Sequence, residues 1–202
     1  MPLELRPTYP LRTERLVLRP FRESDLEAVL DLESREDVVR YLRWQPMDRD
    51  AALALVTRRL RQMEISSEIS GILLAATIPP DDHLVGEFML RVTDAANRQG
   101  EIGWTLHPDV QGRGLALEGA TEMLRLGFDE LGLHRIFADA DPRNTASLRL
   151  MERLGMRREA DLVDTEFLKG EWVGATIYAM LEDEWRRRRD EARANARSVR
   201  VR

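Results

Sequence analysis

Apolar and polar residues alternate through "ERLVLRPF" (Glu14 to Phe21), the two-residue period of a strand with one buried face. In "RESDLEAVLDLES" the apolar positions Leu26, Val29, Leu30 and Leu32 recur at helical spacing, with Ser24 as the expected N-cap. A second helix is predicted from Arg49 to Met63, where Ala52, Leu53, Leu55, Val56 and Leu60 form a broad apolar face. "GILLAATI" and "LVGEFMLRV" then read as strands around the turn "PPDD", and "DAANRQG" turns the chain into "EIGWTLH", a fourth strand. Helical spacing returns from Leu115 to Leu131, stopped by Gly132. A strand "LHRIFADAD", a helix "NTASLRLMERLG" closed by Gly155, and a hairpin turning near Lys169 and Gly170 complete the order. This predicts an α/β (α+β) domain on a mixed, mostly antiparallel sheet.

The chain has 202 residues, 43% of them apolar, enough for one sizeable core and one domain over residues 1–185. No apolar run approaches the roughly 20 residues of a membrane span, and no apolar segment follows a basic head, so a soluble, cytoplasmic protein without a membrane partner is expected. Zero cysteines exclude disulfides and thiolate chemistry, and His83, His107 and His134 lack zinc-ligand spacing, so no metal is expected.

Charge divides unevenly: residues 186–202 carry +6 and leave −11 for the rest. Such an acidic body argues against nucleic acid as a partner and leaves only "WRRRRDEARANARSVRVR" as a candidate contact for it. That basic C-terminal tail, residues 186–202, is expected to be helical or disordered.

The segment "HPDVQGRGLALEGATEML" carries the clearest chemistry. A strand that passes through a glycine-containing turn into a helix presents open backbone N–H groups at the positive end of the helix dipole, which is an anion site. Gly112 and Gly114 let the backbone approach a ligand, and Ala116 adds little bulk in the first turn. A nucleotide P-loop would need a lysine and Ser/Thr that do not follow, and a dinucleotide fingerprint would follow the first strand of a parallel sheet.

"QGRGLA" resembles the Q/R-x-x-G-x-G/A pyrophosphate loop of the GNAT superfamily of N-acetyltransferases. "LRTERLVLRPFRESDLEAV", "GFDELGLHRIFADADPRNTASLRLMERLGM" and "GEW" followed by "IYAMLEDEW" are similar, in order, to the RimJ/RimL-type branch, which acetylates ribosomal-protein N-termini. The resemblance spans roughly residues 10–185 and implies a sheet of about seven strands, about four helices, and acetyl-CoA as cosubstrate. It implies further that backbone groups of Trp104, Thr105 and Leu106 pair with the pantetheine arm, and that Gln111, Gly112, Arg113, Gly114, Leu115 and Ala116 wrap the pyrophosphate. Asn144 and Ser147 match the N-x-x-S of this branch and would face the pantetheine and thioester sulfur; Asn144 is equally suited to be the N-cap of its helix. A homodimer is suggested by the same likeness.

Acetyl transfer from a thioester to a primary amine needs a base for the ammonium and a proton for the departing thiolate. Glu101 lies near the place of the catalytic glutamate of histone-type relatives, and strand alternation sets Glu101, Gly103 and Thr105 on the face opposite Ile102, Trp104 and Leu106. A solvent-facing strand glutamate is the alternative. Many relatives carry a thiolate-protonating tyrosine at the position of Met151, so Ser147 or water would take that role, with Tyr178 more distant. Relatives also commonly carry an aspartate where this chain has Gly174, and Trp44 is a candidate lining residue for the acceptor pocket or for the core. The acceptor is a protein N-terminus or a small molecule, a polyamine or antibiotic among them; a non-catalytic acyl-CoA-binding sensor is the reading from another class.

Overall fold

Eight strands build one sheet in the order β1-β2-β3-β4-β5-β6-β8-β7, in a computed structural model that describes residues 3–200, with side chains as far as Glu191 and at Ala194. The strands are β1 (Leu11–Arg12), β2 (Val17–Arg19), β3 (Gly71–Thr77), β4 (Leu84–Asp94), β5 (Gln99–Leu106), β6 (Arg135–Ala140), β7 (Arg157–Leu168) and β8 (Glu171–Leu181). Every neighbouring pair is antiparallel except β5 with β6. The expected mixed, mostly antiparallel sheet is present, and the strand beyond the expected seven is the two-residue β1.

Among the described residues six α-helices accompany it: α1 (Leu26–Glu33), α2 (Glu36–Val39), α3 (Arg49–Arg59), α4 (Leu115–Arg125), α5 (Thr145–Leu154) and α6 (Glu182–Arg200). Ser24 is not the cap of α1. It lies inside a short 3-10 turn, Glu23–Asp25, and the Asp25 carboxylate takes the Arg22 N–H instead. Asp48 caps α3 by accepting from Ala51 N–H at 2.9 Å, and that helix ends at Arg59, earlier than the apolar spacing suggests. The predicted long helix from Leu115 is α4 continued by a π-turn over Leu126–Glu130, which realigns the chain before Gly132 in its left-handed conformation.

The sheet carries a core on each face. On one, α4 and α5 pack Met123, Leu124, Leu150 and Met151 against Phe88, Leu90, Ile102 and Leu106. Each fully buried large side chain contributes about 1.5–3 kcal/mol by removal from water. On the other, α1 and α3 bring Val29, Leu32, Leu55 and Val56 to Phe21 and Ala75. Gly119 on α4 is needed for the close approach, because a Cβ there would lie 2.2 Å from the Phe88 ring.

The expected boundary before residue 186 falls within α6. Trp185 stacks on Phe128 with centroids 5.9 Å apart and gives its indole N–H to Asp129, which also pairs with Arg189 at 2.8 Å. Arg188 donates to the Arg153 carbonyl at 2.6 Å, so two of the tail arginines are engaged with the body. Residues 201–202 of the expected tail lie outside the described residues. Among the described residues no helix is long and apolar enough to cross a membrane.

Candidate active site

Strands β5 and β6 pair only at Gln99↔Arg135, Gly100↔Ile136 and Glu101↔Phe137. Beyond Glu101 they diverge, while β5 stays with β4 as far as Leu106 and β6 stays with β8 as far as Ala140. A parallel pair that separates halfway leaves one edge of β5 without a ladder. His107 N–H donates to the Val85 carbonyl at 2.8 Å, so by antiparallel alternation the main-chain groups of Trp104 and Leu106 turn away from β4 into the gap. The Leu106 carbonyl accepts the Gln111 side-chain amide there at 2.9 Å. Thr105 differs from the expectation for its main chain: its peptide groups belong to the β4 ladder, although the residue lines the cleft.

At the open end of the gap the loop reverses through Gly112 (φ +71°) and Gly114 (φ +80°), left-handed conformations that favour glycine, and α4 begins at Leu115. Among the described residues none accepts from the N–H groups of residues 112–117, which leaves the segment from Gly112 through Arg113, Leu115 and Ala116 as a nest of donors at a helix N-terminus. Arg15 holds this loop from below. It donates to the Arg113 carbonyl at 2.8 Å and pairs with Glu118, whose other oxygen accepts from Thr13 Oγ1 and Arg15 N–H.

A cleft of about 680 Å³ passes through the gap from the α5 face to the α3 face. On the α5 side stand Asn144 and Ser147. Asn144 is the N-cap of α5, its Oδ1 accepting Ser147 N–H at 3.2 Å, so the capping reading holds and still leaves its amide and the Ser147 hydroxyl beside the cleft. Met151 lies fully buried in the core beneath them. Tyr178 is not a cleft residue: its hydroxyl donates to Glu152 at 2.9 Å, with burial and that carboxylate pushing its ionisation up. Gly174 lines the cleft without room for a side chain, since a Cβ would lie 2.2 Å from the Leu162 carbonyl.

On the α3 side Glu101 is buried rather than solvent-facing, at 7% exposure. Its Oε2 accepts both Arg91 Nε at 2.8 Å and Nη2, from the residue directly across the ladder. Burial raises its pKa above the ordinary glutamate value, and the Arg91 bonds oppose that only in part. Asp139 of β6, across the gap, shares Arg43 with Glu166 at 3.3 and 3.0 Å. Trp44 lines the same side and is anchored by its indole N–H to Glu33 at 2.9 Å.

That anchor belongs to a cluster the sequence reading does not single out. Arg59 Nη2 bridges Glu33 at 3.0 Å and Glu87 at 2.7 Å, all three buried. Its one sequence signal is a glutamate inside the apolar run "LVGEFML". The Arg15–Glu118 brace carries no such signal, because its partners are 103 positions apart.

The family described as "Acetyltransferase (GNAT) domain" matches over residues 15–157. An uncharacterized N-acetyltransferase of Bacillus subtilis (strain 168), YnaD, is 32% identical over 175 residues, 87% of this chain and 98% of that protein. The spermidine N(1)-acetyltransferase of Escherichia coli (strain K12) is 24% identical over 168 residues, 83% of this chain and 87% of the relative. A GNAT-family acetyltransferase from Bacillus anthracis has a crystal structure that superposes with a TM-score of 0.76 at 31% identity, covering 86% of this chain and 99% of that one.

Proposed function

This chain belongs to the GNAT acetyltransferases, and from that premise we propose that it transfers an acetyl group from acetyl-CoA to a primary amine by direct attack in a ternary complex. The observation that carries the reading is the gap between β5 and β6, with a nest of main-chain donors at its open end and the buried Glu101 where it closes. Residues 1–185 are taken as the acetyltransferase domain, with 186–202 as its basic extension.

Acetyl-CoA supplies the activated acyl thioester; the chain's own residues supply position and proton transfer. The N–H groups of residues 112–117 would receive the pyrophosphate oxygens, a contact strengthened by the helix dipole. Trp104 and Leu106 would hydrogen-bond the pantetheine amides as an added strand does, and their N–H groups would polarise the thioester carbonyl. Arg91 occupies only Oε2 of Glu101, so Oε1 remains to accept a proton from the acceptor ammonium, directly or through a water. The raised pKa makes Glu101 a stronger base than an exposed glutamate. Ser147 would return a proton to the departing thiolate. With no cysteine in the chain, an acetyl-cysteine intermediate has no residue to form on.

The acceptor reading favours a protein N-terminus on the RimJ/RimL-type motif "NTAS", with a homodimeric, cytoplasmic protein following from that likeness. The spermidine acetyltransferase relative supports a small-molecule amine as the second reading. Release of free CoA thiol across a panel of amines and N-terminal peptides, beside calorimetric titration with CoA, decides among these. Binding with turnover establishes the transfer; binding without turnover moves the chain to a sensor; no binding overturns the pyrophosphate loop.

A further inference from the structure

Thr13 and Arg15 stand in the segment "LRTERLVLRP", to which the mechanism above gives no part. They occupy the tight turn between β1 and β2, closed by Thr13 N–H on the Leu16 carbonyl at 3.0 Å and by Leu16 N–H on Thr13 Oγ1 at 3.1 Å. From that turn a set of bonds reaches the start of α4. Glu118 Oε1 accepts from Thr13 Oγ1 and from Arg15 N–H, and its Oε2 accepts from Arg15 Nε and Nη2, both at 2.8 Å. The remaining guanidinium nitrogen, Nη1, donates to the Arg113 carbonyl at 2.8 Å. Every nitrogen of Arg15 is therefore committed within the protein, and Glu118 matches its charge.

What the Nη1 bond controls is the orientation of one peptide unit. The peptide between Arg113 and Gly114 is trans, so its carbonyl and its N–H point in opposite directions. The helix does not hold this unit, because its first bond runs from Glu118 N–H to the next carbonyl, that of Gly114. Glycine leaves the unit free to turn over, since without a Cβ it adopts either sign of φ at similar cost. Turned over, the Arg113 carbonyl would set the negative end of a dipole among the donors of the nest. The guanidinium lies against Gly114, where a Cβ would be 3.5 Å from Nη2, and keeps that carbonyl on its own side.

We infer that Arg15 is a positioning residue for the pyrophosphate loop: anchored by Glu118, it pins the Arg113 carbonyl and thereby keeps the Gly114 N–H aimed at the phosphate. This rests on the acetyl-CoA reading of the loop, and it deepens that reading by bringing the β1–β2 turn into the cofactor site. A guanidinium acting instead as a direct counter-charge to phosphate makes the opposite prediction for Glu118. Removing that carboxylate would then free the cation and take a negative charge away from the ligand, so CoA would bind more tightly. For a positioning arginine the same change loosens the anchor, and CoA binds more weakly.

The test is calorimetric titration of the full chain with CoA, comparing wild type, Arg15→Ala, Glu118→Ala and the double variant, with melting temperatures to report folding. Arg15→Ala should lose about tenfold or more in affinity, the scale of one charge-assisted main-chain contact to phosphate. Glu118→Ala should lose about threefold or more, and the double variant should bind no worse than Arg15→Ala, because both changes act through one carbonyl. With any amine that turns over, the loss should appear in KM for acetyl-CoA and leave kcat within about twofold. Tighter binding by Glu118→Ala, wild-type affinity in Arg15→Ala, or fully additive losses overturn the inference. Glu118→Ala keeps Arg15 and the buried face of α4, so the direction of its effect decides even where Arg15→Ala melts too low to titrate. A wild-type chain that binds no CoA is the separate failure of the acetyl-CoA reading.

Discussion

Arg91 and Glu101 face each other across the β4–β5 ladder, and both guanidinium hydrogen bonds go to one carboxylate oxygen, Oε2. The other oxygen is left for chemistry, in a residue whose burial has raised its pKa. Glu101→Gln should therefore cut kcat by about 10²–10⁴-fold, the usual contribution of a general base. CoA affinity, measured by calorimetry, should stay within about twofold, because the loop and gap that would hold CoA are untouched. The wild-type rate should rise with pH as Glu101 loses its proton, and that limb should be absent from the variant's profile.

Asn144 and Ser147 are linked through the Ser147 backbone, not its hydroxyl. Ser147→Ala should consequently leave the melting temperature near wild type while turnover falls. Asn144→Ala removes the helix cap and should cost about 1 kcal/mol in denaturant unfolding. Equal destabilisation by both changes would contradict this division of roles.

Gly114 adopts φ +80° at the start of α4. Gly114→Ala places a Cβ in a left-handed conformation at a strain of about 1–2 kcal/mol and disturbs the N–H groups on either side. Titration with CoA should show a loss of about tenfold or more in affinity, with far-UV circular dichroism unchanged. Wild-type affinity in this variant would separate the loop from pyrophosphate binding.

Asp25 and Arg19 form a buried bidentate pair, with both bonds at 2.8 Å, and Asp25 also takes the Arg22 N–H. Arg19 keeps Asp82 through its Nε at 2.8 Å, so Asp25→Ala removes two charge-assisted bonds without stranding the guanidinium and should cost about 1.5–3 kcal/mol, read from urea unfolding.

Burial pushes the Glu87 carboxyl up to about 7, against the opposing charges of Arg59 and Arg58 and with the help of Glu33. The unfolded chain ionises near the ordinary value of 4.5, so between these limits the native state holds a proton that the unfolded state has released. The stability contributed by the neutral carboxyl is present at low pH and lost as pH rises toward 7. Glu87→Gln removes this dependence. Thermal melts should show the variant gaining on wild type by several degrees between pH 4.5 and pH 8, and a constant difference would count against the raised pKa.

The hydrophobic pattern by itself determined the order of strands and helices, the alternation that puts Glu101 opposite Ile102 and Trp104, and the glycine turn ahead of α4. These are local properties, set by side-chain period and by backbone conformations that only a few residues adopt readily. Asn144 as a cap was legible for the same reason, since a cap bonds within three residues. What joins distant segments was not. The parting of β5 from β6 depends on where each strand finds its other partner, and the Arg91 pairing with Glu101 depends on register. The brace of Arg15 on Glu118 and the meeting of Glu33, Arg59 and Glu87 come from three-dimensional proximity of residues far apart in the chain. Burial then raises the pKa of Glu87 and Glu101, because desolvation acts on a carboxyl only once the folded chain has covered it.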